Sequence, residues 1–319
     1  MSKSQNSTKY ILPFAEISQK DIQVAGGKGA NLGEMTKNGI KVPSGFVISS
    51  LVFKNFLSDA NIKNKIEKII ERIDANNPES IKNSSKNIRE LILKSKITKN
   101  IKERILNVFV ELKSEFVSVR SSATTEDSKA DSWAGQLETY LNTTEENLIE
   151  NIKKCWASLY SERALFYGAK KELVNKKNSV AVVVQKMIQS EISGVCFTVH
   201  PVNKDVNQMI IEAGFGLGEA IVSGMITPDN YVVDKINIEI LSKKINNQKK
   251  MVCGVGNKNE IISVDYRKSK LQKLSDSDII KLSKTCVKIE KHYKEPQDIE
   301  WAFKDDKFYI LQSRPITTL

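Results

Sequence analysis

Near the C-terminus, Asp298-Ile299-Glu300-Trp301-Ala302-Phe303 alternate polar and apolar side chains, and Phe308-Tyr309-Ile310-Leu311-Gln312-Ser313-Arg314 follow after a short charged turn. A period of two marks a strand with one covered face, so this segment reads as an antiparallel hairpin. A three-residue loop at 305–307 sets Glu300 opposite Gln312, Trp301 opposite Leu311 and Phe303 opposite Tyr309. A two-residue loop turns Gln312 to the aromatic side, so the pattern favours the odd loop. One face then carries Asp298, Glu300, Gln312 and Arg314, and the other carries Ile299, Trp301 and Phe303. Hard oxygen ligands on adjacent strands are what Mg2+ needs when it carries a nucleoside triphosphate, and an arginine beside them can fork onto phosphate oxygens. An exposed face that carries charges without a ligand fits the same residues, and the hairpin alone leaves both readings open.

Upstream, residues 1–59 read as short strands and loops around Gly26-Gly27-Lys28-Gly29. From Ala60 to about Glu115 the pattern turns helical: Ile62, Ile66, Ile69, Ile70 and Ile73 share one face, as do Ile101, Ile105, Val108 and Leu112. Asn76-Asn77-Pro78 breaks that stretch. A short strand, 116–119, runs into a hydroxyl-rich loop, Arg120-Ser121-Ser122-Ala123-Thr124-Thr125-Glu126-Asp127, with Trp133-Ala134-Gly135-Gln136 beyond. Such a loop suits an anion, and equally a polar surface turn. Thr143 with Glu146 reads as a capping box opening a long helix. Strands follow at 180–187, 194–199, 208–213 and 231–234, then a lysine-rich connector at 243–250 and a helix capped by Ser275 or Asp276 that runs to about Tyr293. Helices interspersed with strands make the fold class α+β or mixed α/β.

Gly26-Gly27-Lys28-Gly29 is not a Walker A sequence, and Gly214-Phe215-Gly216-Leu217-Gly218-Glu219 is neither a dinucleotide fingerprint nor a kinase glycine loop. Either the backbone approaches something closely at both places or the chain turns there.

Composition excludes several classes. No apolar run approaches the roughly 18 residues of a membrane span, and the polar N-terminus has no secretory core, so the expectation is a cytoplasmic protein with no membrane partner. The net charge of +11 is mostly scattered lysine without interleaved aromatics, which argues against nucleic acid. The four cysteines form no CxxC pair, so they read as reduced packing residues. With only two histidines, His200 and His292, a zinc site is not expected.

Four segments in order resemble one family. Gly26 to Met35 with Val42-Pro43-Ser44-Gly45-Phe46, Val119 to Asp127 with Trp133-Ala134-Gly135-Gln136, Gly214 to Glu219, and Asp298-Ile299-Glu300-Trp301 with Gln312-Ser313-Arg314-Pro315 are similar to the nucleotide-binding domain of the pyruvate phosphate dikinase, phosphoenolpyruvate synthase and rifampicin phosphotransferase family. The resemblance implies an ATP-grasp fold over residues 1–319, with ATP in the cleft between approximate lobes 1–180 and 181–319. It implies ATP and Mg2+ as cofactors. Lys28 and Arg120 would hold phosphates, with Gly135 and Thr139 lining the phosphate loop. Gln185, Lys186 and Met187 would lie at the adenine, largely through backbone. Glu300 and Gln312 would bring in Mg2+, with Asp298 a further metal candidate, and Arg314 would meet the transferred phosphate. Arg120 and Arg314 are the catalytic candidates.

Relatives in this family relay the phosphoryl group through a histidine on a separate domain to an acceptor held by a third. Neither His200, before Pro201, nor His292, in a helical pattern, lies in the glycine- and serine-containing setting expected of that histidine. The expectation is therefore a kinase component without phosphohistidine or acceptor domains, which works with a separate polypeptide that supplies them. A nucleotide domain of a rifampicin-phosphotransferase-like enzyme and a stand-alone ATP-binding regulatory module are the alternatives.

Overall fold

The computed structural model of the chain describes residues 10–124, 138–170, 179–256 and 258–316. It forms two compact units, Met1–Gly33 with Ser44–Lys186 and Glu34–Pro43 with Met187–Leu319. The division falls after the strand that begins at Val180, because that strand is hydrogen-bonded inside the first unit. The segment Glu34–Pro43 groups with the second unit.

The first unit contains strands β1 (Ile11–Pro13), β2 (Gly45–Ile48), β3 (Val117–Ala123), β4 (Thr139–Thr143) and β5 (Val180–Lys186). They pair antiparallel in the order β1-β2-β5-β3-β4. Residues 180–184 are buried without a break, as a central strand covered on both faces requires. Its helices are α1 (Ile22–Lys37, with the last turn in the second unit), α2 (Ser50–Asp59), α3 (Lys63–Glu71), α4 (Pro78–Lys94), α5 (Lys99–Glu111), α6 (Glu145–Ser158) and α7 (Glu162–Lys170). Phe53, Phe56, Ile88, Ile92, Ile152 and Trp156 join β3 and β5 in one core. The Trp156 rings lie 5.5 Å from Phe53 and 4.9 Å from Phe56.

Local sequence explains most of these elements. Pro78 needs no amide partner at the first helical position, and the Asn77 side chain accepts from the amides of Glu79 and Ser80, so the expected breaker is the start of α4. Ile66 and Ile105 are buried, and the flanking isoleucines of both stripes pack against the same core.

Three expectations are corrected. Residues 22–37 and 50–59 are helical, because the glycines that suggested loops sit at a kink in α1, at Gly26, and not outside a helix. Arg120, Ser121 and Ser122 lie inside β3, since the ladder with β5 continues to Ala123 opposite Val180. The capping box of α6 is Thr144 with Asn147. Thr143 belongs to β4 and its hydroxyl accepts from Asn151 instead.

The second unit contains β6 (Ile192–Phe197), β7 (Gln208–Phe215), β8 (Asp229–Asp234), β9 (Glu239–Lys244), β10 (Lys250–Val255), β11 (Lys258–Ser263), β12 (Gln297–Lys304) and β13 (Lys307–Pro315), with helices α8 (Glu219–Val222), α9 (Tyr266–Ser269) and α10 (Asp276–Tyr293). Six strands pair antiparallel in the order β13-β12-β6-β7-β8-β9, and β10 and β11 form a ribbon. The expected connector at 243–250 is the end of β9, the start of β10 and a buried Gln248 between them. The Gln248 amide group is bonded to both backbone groups of Phe215. Ser275 caps α10 through the Asp278 amide.

Pleating gives the six-stranded sheet two unlike faces. The row Ser313, Ile299, Cys196, Ile211, Tyr231 runs across five strands and is fully buried. Helix α10 covers this side: Cys196 meets Cys286, and Thr198 meets Glu290. The adjacent row on the opposite side is Gln312, Glu300, Val195, Glu212, Asn230. No helix among the described residues is long and apolar enough to cross a membrane.

Candidate functional site

The hairpin β12–β13 turns on Asp305 and Asp306, both at positive φ (49° and 56°), with Lys304 opposite Lys307. This is a two-residue loop, and its left-handed backbone matches the twist of the strands it joins. The expected three-residue loop is therefore not present. Next to the turn Phe303 faces Phe308, Ala302 faces Tyr309 and Trp301 faces Ile310, instead of the pairs Phe303–Tyr309 and Trp301–Leu311. The register then shifts between Trp301 and Glu300, with Leu311 as the extra residue, and Glu300 comes opposite Gln312 as expected. A bulge thus does what an odd loop was expected to do.

Beyond the bulge the side chains of the site assemble. Asp298 faces Arg314, whose Nε and Nη2 donate to Asp298 Oδ2 at 2.9 and 2.8 Å. Burial pushes the Asp298 carboxyl above its ordinary value. Arg314 opposes that shift, and the negative charge of Glu300 adds to it. Two strands away, Glu212 is likewise pushed up, first by burial and then by Asp298. Two carboxylates with raised proton affinity, Asp298 and Glu212, on the same sheet face as Glu300 make a place that gains from a cation.

Gln312 is 5% exposed and its Oε1 accepts no hydrogen bond. A buried acceptor without a donor costs about 1–3 kcal/mol, and a bound cation or a ligand hydrogen would remove that cost. The described residues contain no ready-made group of three or more His, Cys, Asp or Glu around one metal position. Mg2+ takes one or two carboxylates and fills its shell with water and substrate phosphate. Glu300, Gln312 and Asp298 are the residues that would hold it. Glu212 was not singled out from the sequence. Its signal was a lone acid inside the apolar run of β7.

In the first unit the glycine motif docks on β3. Gly26 has φ +69°, and a Cβ there would lie 2.3 Å from the backbone oxygen of Ser122. Ser122 Oγ donates to the Ala25 carbonyl at 3.0 Å and accepts from the Gly29 amide at 3.2 Å. Arg120, two residues before Ser122, projects from the same face of β3, and its cross-strand partners are Thr139 and Val183. Lys28 is close enough for its charge to favour the Cys155 thiolate, against the larger opposing effects of burial and Glu138. Glu138 is held by Arg89 at 3.1 Å, by the Tyr140 hydroxyl, and through its carbonyl by Ser121. Arg120, in the middle of β3, thus sits opposite Thr139 at the start of β4. Gly135 lies outside the described residues.

At the end of β5, Gln185 is buried with its Nε2 unpartnered. Lys186 is exposed, and its amide is already bonded to the Ser44 carbonyl. Met187 belongs to the second unit, where it packs on Leu217, Ala220 and Val252.

Gly214 to Glu219 form a turn braced by the protein itself. Gly216 has φ +89° and a Cβ there would meet the Val252 carbonyl at 2.4 Å, while the Leu217 amide donates to that same oxygen. In both glycine clusters the close approach is to another strand of the same unit. His200 Nδ1 faces the amides of Val202 and Asn203 in a turn, and His292 Nε2 pairs with Glu34 at 3.0 Å. The four cysteines are free thiols.

Comparison with known proteins shows the family. Residues 22–319 match the family model described as pyruvate phosphate dikinase, AMP/ATP-binding domain. A probable phosphoenolpyruvate synthase of Archaeoglobus fulgidus is 44% identical over 97% of this chain and 42% of its own length. The phosphoenolpyruvate synthase of Pyrococcus furiosus is 39% identical over 98% of the chain and 44% of its own length. The rifampicin phosphotransferase of Bacillus cereus is 37% identical over 98% and 36%. The chain thus spans less than half the length of these relatives, and it belongs to the pyruvate phosphate dikinase AMP/ATP-binding domain family.

Proposed function

We propose that this chain binds Mg·ATP as the nucleotide-binding component of a dikinase-type phosphotransferase resembling phosphoenolpyruvate synthase, and that it passes a phosphoryl group toward a histidine on a separate domain. The observation that carries this reading is the hairpin site: Glu300 opposite Gln312, whose buried Oε1 accepts nothing, beside the Asp298–Arg314 pair. The fold in this reading is an ATP-grasp fold, with the nucleotide between two lobes and the protein acting in the cytoplasm.

The roles in this reading are those that the family resemblance implies for the matching motifs. Lys28 and Arg120 hold phosphate oxygens, with Thr139 and Gly135 at the phosphate loop. Gln185, Lys186 and Met187 lie at the adenine, where Gln185 Nε2 is a buried donor. Glu300 and Gln312, with Asp298, hold Mg2+, and Glu212 adds negative charge on the same face. Magnesium, when bound, neutralises the phosphate oxygens it touches. Arg314 is oriented by Asp298 and offers a planar cation to the moving phosphoryl group. Phosphoryl transfer depends on positioning and charge neutralisation more than on a protein nucleophile, and these residues supply both. The rifampicin phosphotransferase of Bacillus cereus, at 37% identity, keeps a second acceptor class in view, since the residues that choose the acceptor would lie on another domain.

Calorimetry tests the reading. Wild-type chain is expected to bind Mg·ATP with a Kd in the micromolar-to-millimolar range, and Lys28→Ala or Arg120→Ala to abolish binding without unfolding the protein. Absence of ATP affinity in folded wild-type protein sinks the proposal and favours a module that has lost nucleotide binding. Adding a phosphohistidine-domain polypeptide should convert ATP to AMP; accumulation of ADP alone would rule out dikinase chemistry.

A further inference from the structure

The bulge at Leu311 separates the turn of the β12–β13 hairpin from its functional end. On the turn side Lys304 faces Lys307 and Trp301 faces Ile310; past the bulge Glu300 faces Gln312 and Asp298 faces Arg314. If the turn-side register continued uninterrupted, Glu300 would face Leu311 and Asp298 would face Ser313. Gln312 and Arg314 would then project to the side covered by α10, because a one-residue slip exchanges the faces of a strand. The turn therefore cannot fix the site register, and something beyond the bulge must.

The covered side contains such a device. Ser313 Oγ donates to Gln297 Oε1 at 2.8 Å, and both residues are buried, at 0% and 1% exposure. Gln297 is itself fixed. Its amide donates to Thr198 Oγ1 at 2.8 Å, its carbonyl accepts the Thr198 amide at 2.9 Å, and its Nε2 donates to the Glu295 carbonyl at 3.2 Å. Thr198 Oγ1 donates in turn to Glu290 of α10, and Glu290 is paired with Lys235 at 2.8 Å. A hydrogen-bonded chain thus runs from α10 through the end of β6 and the start of β12 to β13. It reaches β13 at the residue between Gln312 and Arg314. In the slipped register Ser313 would leave the covered side and its buried partner Gln297 would lose its donor.

We propose that Ser313 and Gln297 form a register clamp, which makes them positioning residues that hold Gln312 and Arg314 on the site face. As a statement about function this rests on the Mg·ATP reading above; as a statement about register it does not. The test uses Ser313→Ala, Gln297→Met and the double variant. Amide hydrogen exchange over residues 311–316 and Mg·ATP titration are measured on each, with thermal melting as a check on folding. The expected result is faster exchange in that segment and a Mg·ATP affinity about 3- to 10-fold weaker in either single variant, the range set by one buried hydrogen bond. The double variant should be no worse than the poorer single one, as two ends of one contact behave in a mutant cycle. Unchanged exchange, or losses that add in the double variant, overturns the clamp. Faster exchange with wild-type affinity overturns the positioning role. If the wild-type chain itself binds no Mg·ATP, the functional reading fails while the exchange data still decide the clamp.

Discussion

Replacing Gly26 by alanine tests how closely the glycine motif is fitted to β3, and Gly39 provides the internal control. Both have positive φ, +69° and +68°. A Cβ on Gly39 meets nothing within 4 Å, whereas one on Gly26 would lie 2.3 Å from both the carbonyl oxygen and the hydroxyl of Ser122. Gly39→Ala should therefore cost only the left-handed strain, about 1–2 kcal/mol. At Gly26 the conformation (φ 69°, ψ 171°) lies in a region nearly closed to other residues, which costs about 1–3 kcal/mol. The clash also forces Ser122 away, breaking its bonds to the Ala25 carbonyl and the Gly29 amide, each worth about 1 kcal/mol. Gly26→Ala is thus expected to destabilise by about 3–5 kcal/mol. Urea denaturation of both variants under one buffer condition reads the difference directly. Lys28 is two residues from the displaced glycine, so Gly26→Ala should also weaken Mg·ATP binding, while Gly39→Ala should leave it unchanged. Equal destabilisation of the two variants, within about 0.5 kcal/mol, would falsify the close-packing argument, because only strain would then be left to explain either loss.

Other perturbations reach different parts of the fold. Lys273 Nζ lies 2.8 Å from Asp229 Oδ1 with both side chains fully buried. Lys273→Met leaves a buried carboxylate uncompensated and should cost about 3–5 kcal/mol by chemical denaturation; a loss below about 1 kcal/mol would show that water reaches the pair. Trp156→Ala removes the ring packed between Phe53 and Phe56 and should cost about 3–5 kcal/mol, with the loss confined to stability if the first unit re-forms around the cavity. Burial pushes the thiols of Cys155 and Cys196 up. Folding holds their protons more tightly than the unfolded chain does, so the stability they contribute is fully present below the ordinary thiol range and is lost as pH rises above it. Ellman's reagent at pH 8 should label the half-exposed Cys253 quickly and the buried Cys155, Cys196 and Cys286 only on unfolding; fast labelling of a second thiol contradicts this.

Much of the chain is legible in one dimension. The two isoleucine stripes, the Asn77-Pro78 helix start, the Ser275 cap and the apolar run from Val180 to Val184 in β5 each state a local rule, and the structure follows it. The grouping of Asp298, Glu300, Gln312 and Arg314 on one face was legible too, because alternation over two facing strands leaves few registers that bury the aromatics. What the sequence could not disclose depended on partners far away in the chain. Arg120 looked like a loop residue because serines and threonines follow it, yet pairing with β5 keeps the strand going to Ala123. The glycines of α1 looked like a loop because glycine weakens a helix, yet the contact with Ser122 needs a residue without a side chain. The hairpin shows the division most clearly. Alternation alone fixed which side chains share the site face, since burial of Trp301 and Phe303 against solvation of Glu300 admits one answer. Whether that answer was reached by an odd loop or by a tight turn with a bulge was decided only in three dimensions. There the left-handed backbone of Asp305 and Asp306, the extra residue at Leu311 and the buried bond from Ser313 to Gln297 act together, and Glu212 joins the site through strand pairing that no local pattern encodes.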